Sequence, residues 1–164
     1  MNKLATLFEE LHSAETELAD KFREIGERHG TDHDVWHMCH QLAEQAEARA
    51  EQVRERAATY DVTLKPPRHS ETARGLAAGV RHKTSELLGR RPEGGMLLLA
   101  DLRRLFLDSQ AANVHWLVTG QVAQALRDAE LLGVVTSAHK QVLTQIKWLK
   151  TRLKEASPQV FCVS

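Results

Sequence analysis

The chain has 164 residues, enough for one domain with a substantial core, and it is 42% hydrophobic and 27% charged, as ordinary globular proteins are. Its 22 basic and 22 acidic residues cancel, which excludes a global field that would gather nucleic acid or an anionic membrane. Two cysteines, Cys39 and Cys162, are too few for a disulfide framework and suit a reducing compartment.

The opening MNKLATLFEE reaches acids by position nine and lacks the apolar run of a signal peptide. No apolar stretch approaches the ~20 residues that span a bilayer. In the tail SPQVFCVS two residues follow Cys162, so it is not a prenylation box. A soluble cytoplasmic protein with no membrane partner is expected.

Strand signals are nearly absent, whereas apolar residues recur at helical spacing throughout. Leu4, Leu7, Leu11, Leu18, Phe22 and Ile25 mark a first helix over about 2–29, closed by Gly30. Asp32 or Thr31 can cap a second, whose stripe is Trp36, Cys39, Ala43, Ala46, Ala50, Val53 and Ala57, ending near Tyr60. After Gly94 and Gly95 a third helix runs through MLLLADLRRLFLDSQAANVHWLVTGQVAQAL, with Leu98, Leu105, Ala112, Trp116 and Ala123 as its core stripe. Asp128 caps a fourth, with Leu131, Val135, Val142, Ile146, Leu149 and Leu153 on one face, stopped before Pro158.

The connections decide the architecture. The first and last turns are a few residues long, so the helices they join are antiparallel pairs. Between the second and third helices lie about 35 residues, far beyond a normal helix–helix loop. That segment, with Ser70 capping a short helix to about Leu88, can run the roughly 40 Å length of the bundle. The expected fold is all-α: an up-down-down-up four-helix bundle with one long crossover, the ferritin-like topology. The bundle domain covers 1–156, the crossover about 61–95, and 157–164 form a tail.

LATLFEELHSAETELADKF followed by LAEQAEARAEQVRERAATYDV resembles the opening helical pair of bacterial ferritin-like proteins, and LRDAELLGVVTSAHKQVLTQIKWLK resembles their closing helix. The resemblance implies either two irons, for storage or oxidation, or a bundle that has lost its metal. Iron sites of that superfamily use a carboxylate from helix 1, Glu-x-x-His on helix 2, a carboxylate on helix 3 and Glu-x-x-His on helix 4. Here helix 1 offers Glu15, and helix 2 offers Glu44 with Glu47 where histidine is expected. Helix 3 offers Asp108, or Asp101 and His115, and helix 4 offers His139 with Thr136 where the bridging glutamate belongs. Both Glu-x-x-His motifs are broken, and two irons need about four carboxylates for charge balance.

Glu15, Glu47, His115 and His139 all fall near mid-bundle, and two carboxylates with two imidazoles could hold a single divalent ion. The simpler reading puts Glu47 and His115 on the margins of their stripes and leaves Glu15 as one buried carboxylate with a raised pKa or a basic partner. His33, His37 and His40 share a line of the second helix about 120° from its apolar stripe. They could chelate a surface ion, but outward rows of histidine and glutamate are more often a solvated face.

Residues 1–60 carry 13 acids and 7 bases, and residues 61–91 carry 7 bases and 3 acids. The basic crossover (Lys65, Arg68, Arg74, Arg81, Lys83, Arg90 and Arg91) lacks interleaved aromatics, so its expected partner is the acidic first pair of helices rather than nucleic acid. Helix 3 has a second apolar face of Leu99, Phe106, Leu107, Val114, Leu117 and Val118, and Trp148 lies off the stripe of helix 4. Part of the helix 3 face suits the crossover helix through Leu76, Val80 and Leu87, and the rest suits a symmetric partner chain, giving a homo-oligomer through helix 3. The functional expectation is a non-catalytic ferritin-like bundle, structural or protein-interacting, with no cofactor. The alternatives are a bundle using the reduced metal site and a nucleic-acid-associated stress protein.

Overall fold

A computed structural model describes residues 2–66 and 94–163. They form four helices and no strand: α1 (Lys3–Arg28), α2 (His33–Ala58), α3 (Gly94–Leu126) and α4 (Ala129–Cys162). The crossover helix expected between Ser70 and Leu88, with Leu76, Val80 and Leu87, lies outside the described residues, as do the bases from Arg68 to Arg91.

Side-chain caps fix the helix starts. Asp32 accepts the Val35 N–H at 3.1 Å and Asp128 accepts the Leu131 N–H at 2.9 Å, satisfying donors that a helix start leaves open. α3 ends at a left-handed Arg127, φ 56°, and the Asp128 N–H returns to the Ala123 carbonyl at 3.0 Å. α1 stops differently from the expected glycine closure. No described glycine has positive φ, and the His29 N–H closes the last turn on the Ile25 carbonyl.

α1 packs on α2 and α3 on α4, and the two pairs meet through α1 with α3 and α2 with α4. Ion pairs report their sense. Lys21 meets Asp108 and Arg28 meets Asp101, so partners on α3 step backward as α1 steps forward. Arg56 meets Asp128, whereas Asp32 meets Arg152, so α2 and α4 are also opposed.

The interior divides into two apolar clusters. One gathers Phe8, Leu11, Val53, Trp116, Leu131 and Val135, and the other Leu18, Phe22, Val35, Leu102, Leu105 and Leu149. Burying each large side chain is worth about 1.5–3 kcal/mol, so these clusters supply the main drive for the helices to associate.

Several expectations are corrected. Trp36 is 39% exposed while Val35 is fully buried, because α1 and α2 run close together here: a Cβ at Gly26 would lie 2.9 Å from the Cys39 Cβ. Leu99, expected on the second apolar face of α3, is only 4% exposed, and Phe106 from that face packs half-buried against both clusters, as Trp148 does against the second. α4 continues through Pro158 to Cys162 instead of stopping before it. Proline removes one N–H, but its φ is helical, and the Ser157 hydroxyl donates to the Leu153 carbonyl at 2.6 Å in the same turn.

Candidate functional site: a buried ion pair between two apolar clusters

Each helix places one polar residue at a core position of the same layer. They are Glu15 between Leu11 and Leu18, Arg49 between Ala46 and Val53, Ser109 between Leu105 and Ala112, and Gln145 between Val142 and Leu149. None is more than 1% exposed. An uncompensated charge there would be very costly, so each must find partners within the layer.

Arg49 and Glu15 meet as a two-pronged pair, Nε to Oε1 and Nη2 to Oε2, both 2.9 Å. The planar guanidinium matches the carboxylate, which accepts a third bond from the Trp116 indole N–H. Remaining Arg49 donors reach the Gln145 carbonyl oxygen at 3.2 Å and that of Gln141 at 3.3 Å. Gln145 in turn donates to the Ser109 hydroxyl at 2.7 Å. The layer ties all four helices together through satisfied hydrogen bonds.

The other sequence-derived ligand residues are dispersed. Glu47 is ion-paired with Arg23 and lines a groove containing His12, Asp20 and Lys65. His115 lines a different groove between α1 and α3, beside Glu17, Lys21 and Asp108. His139 lies on a third surface, along α4 with Thr136, Lys140 and Leu143. Glu44 is exposed, and the Thr136 hydroxyl donates to the Leu132 carbonyl. Asp101 pairs with Arg28 and His29; burial pushes its carboxyl up, but those two partners outweigh it and hold it below the usual range. Among the described residues, no three His, Cys, Asp or Glu side chains gather where they could hold one ion. Both Glu15 oxygens are already engaged by Arg49, so the residues present do not fit a diiron group.

The histidine row of α2 separates as well. His33 and His37 are exposed, while His40 is half-buried, bonded to Glu27 at 2.8 Å and to the Trp36 carbonyl at 2.7 Å. Its ring lies 4.4 Å from that of Trp36. Cys39 is buried, and desolvation pushes its thiol up to about 12, with Asp32, Asp101 and Asp34 adding to the shift. It packs as a small hydrophobe and is a poor nucleophile.

The sequence alone does not single out Arg49, Ser109 or Gln145, and Trp116 reads in it only as core. The available signal was a polar residue interrupting each stripe at the regular three-or-four spacing. No protein-family model, curated protein or solved structure significantly matches this chain.

Proposed function

We propose that this chain is a non-catalytic, ferritin-like bundle in which an internal guanidinium occupies the place of a metal, and that it serves as a soluble cytoplasmic structural or protein-interaction module. The opposed senses of α1 with α2 (Glu15 with Arg49, Glu27 with His40), α1 with α3 (Lys21 with Asp108, Arg28 with Asp101) and α3 with α4 (Ser109 with Gln145, Gly120 beside Val135) support an up-down-down-up bundle, with α2 and α3 parallel and joined by a crossover over about 61–95. The observation that carries the functional reading is Arg49 seated on both oxygens of Glu15, the helix 1 carboxylate that the ferritin resemblance nominates as a ligand.

A buried carboxylate needs a positive counterpart, and iron supplies it in working ferritin-like sites. Here α2 supplies it as Arg49, whose planar fork makes four hydrogen bonds, two to Glu15 and one each to Gln141 and Gln145. A nucleic-acid role draws no support from the described part of the basic crossover, since Lys65 lies in a groove with Glu17, Asp20 and Glu47.

The test is aerobic oxidation of ferrous iron, followed by ferric absorbance, on protein purified without an affinity tag. The expected rate equals that of protein-free buffer. Saturable oxidation that disappears in Glu15→Ala and His139→Ala would overturn the reading.

A further inference from the structure

α3 is apolar on two opposite sides. Its core side carries Leu105, Ala112, Trp116 and Ala123, all fully buried. At about 100° per residue, Leu107 lies roughly 180° from Trp116, and Met96, Val114 and Val118 lie within about 20° of Leu107. Leu107 is 66% and Val114 56% exposed.

We propose that this outer stripe is an isologous interface on which α3 of a second copy of the chain docks antiparallel. The inference deepens the interaction-module reading and rests on it. Positions 96, 100, 103, 107, 110, 114, 118, 121 and 125 step by four and three along the exposed side, the spacing of a helix seam made to meet another helix. Eight of the nine positions pair across the midpoint between Gln110 and Ala111, position 110 alone having no mate on the seam. A two-fold axis there sets Leu107 against the partner's Val114, Arg103 against the partner's Val118 and Met96 against the partner's Ala125. Such self-complementarity is what a two-fold contact requires, and a heterologous partner would not require it.

Charge and area agree with that occupant. Of the seam positions Arg103 alone is ionisable; it is exposed, and its apolar stem can lie along the partner's Val118 while the guanidinium stays in solvent. Asp108, paired with Lys21, and His115, set in the α1 groove, lie off the seam. The chain is formally neutral, and two copies do not repel at long range. Leu117 on α3 and Leu143 on α4, each about half exposed, add further apolar surface. The exposed apolar area then reaches roughly 600 Å² per chain, the upper end for a monomer's largest patch and most of the about 800 Å² that a stable interface buries per partner.

Light scattering on the full-length, untagged protein at tens of micromolar tests this. It should give twice the chain mass of 18.4 kDa. Leu107→Glu and Val114→Glu, at exposed positions, should each weaken association at least about 100-fold with helix content unchanged. With Cys162→Ser as background, Leu107→Cys combined with Val114→Cys should crosslink two chains under a mild oxidant, whereas Leu107→Cys alone should not. A monomeric wild type, a dimer unmoved by either glutamate, or crosslinking through Leu107→Cys alone would overturn the proposal. Iron oxidation by an intact dimer would instead overturn the functional reading and leave the interface standing.

Discussion

Arg49→Met removes the guanidinium from the centre of the bundle and keeps most of its apolar stem. Glu15, 0% exposed, then loses both 2.9 Å bonds and keeps only the Trp116 N–H among its hydrogen bonds. Gln145 and Gln141 each lose one donor to their carbonyl oxygens. Breaking one side of a buried pair costs about 3–5 kcal/mol, because the abandoned charge stays buried. That is a large part of the roughly 5–15 kcal/mol that holds a domain folded. At about 2–4 °C per kcal/mol for a chain of this size, the thermal midpoint should fall by roughly 10 °C. Glu15→Gln combined with Arg49→Met should recover most of the loss, to within about 1–2 kcal/mol of wild type. The neutral amide still accepts from Trp116 and offers a donor to Gln145. Urea unfolding of wild type, both single variants and the double variant closes the cycle. An Arg49→Met cost below about 1 kcal/mol, or a double variant as unstable as the single, would refute the reasoning.

Two glycines inside helices should respond oppositely to alanine. A Cβ at Gly26 would sit 2.9 Å from the Cys39 Cβ, so Gly26→Ala should destabilise by about 1–3 kcal/mol in urea unfolding; at Gly133 a Cβ meets nothing within 4 Å, and Gly133→Ala should gain about 0.5–1 kcal/mol. Asp128 is held down to about 2 by the Leu131 N–H, then by Tyr60 and Arg56, against an opposing effect of burial. Because its folded value lies below its unfolded one, its contribution is complete above about pH 4 and is lost as pH falls towards 2. Thermal melts across that window should therefore show a shallower acid decline for Asp128→Asn than for wild type. Trp116→Phe keeps the ring and removes one donor to Glu15, and should cost about 1–3 kcal/mol in the same unfolding assay.

Much of the fold was legible because its signals are local. Asp32 and Asp128 cap where a short acceptor precedes an apolar run, and the stripes of α1 and α4 bury from Leu11 to Ile25 and from Leu131 to Leu149, whereas Leu4, Leu7 and Leu153 are only half-buried and Phe8 takes the inner place beside Leu7. Trp36 misled because it is the bulkiest apolar residue near the start of α2, yet the close approach at Gly26 and Cys39 leaves that interior position to Val35. The central layer was half legible. Glu15 stood out as a carboxylate inside a leucine stripe, with a basic partner foreseen but not named. Arg49 was not singled out, since a wheel shows angle and not the neighbour across 34 residues of chain. Gln145 and Ser109 were hidden for the same reason, because their role exists only once α2, α3 and α4 meet.

Elemental analysis of untagged protein, incubated with excess ferrous iron and freed of unbound metal, is the most direct measurement of whether an internal cation has taken the place of a metal. Well under one metal ion per chain is expected, in wild type and His139→Ala alike. Two irons per chain, retained in His37→Ala and lost in Glu15→Ala and His139→Ala, would contradict it.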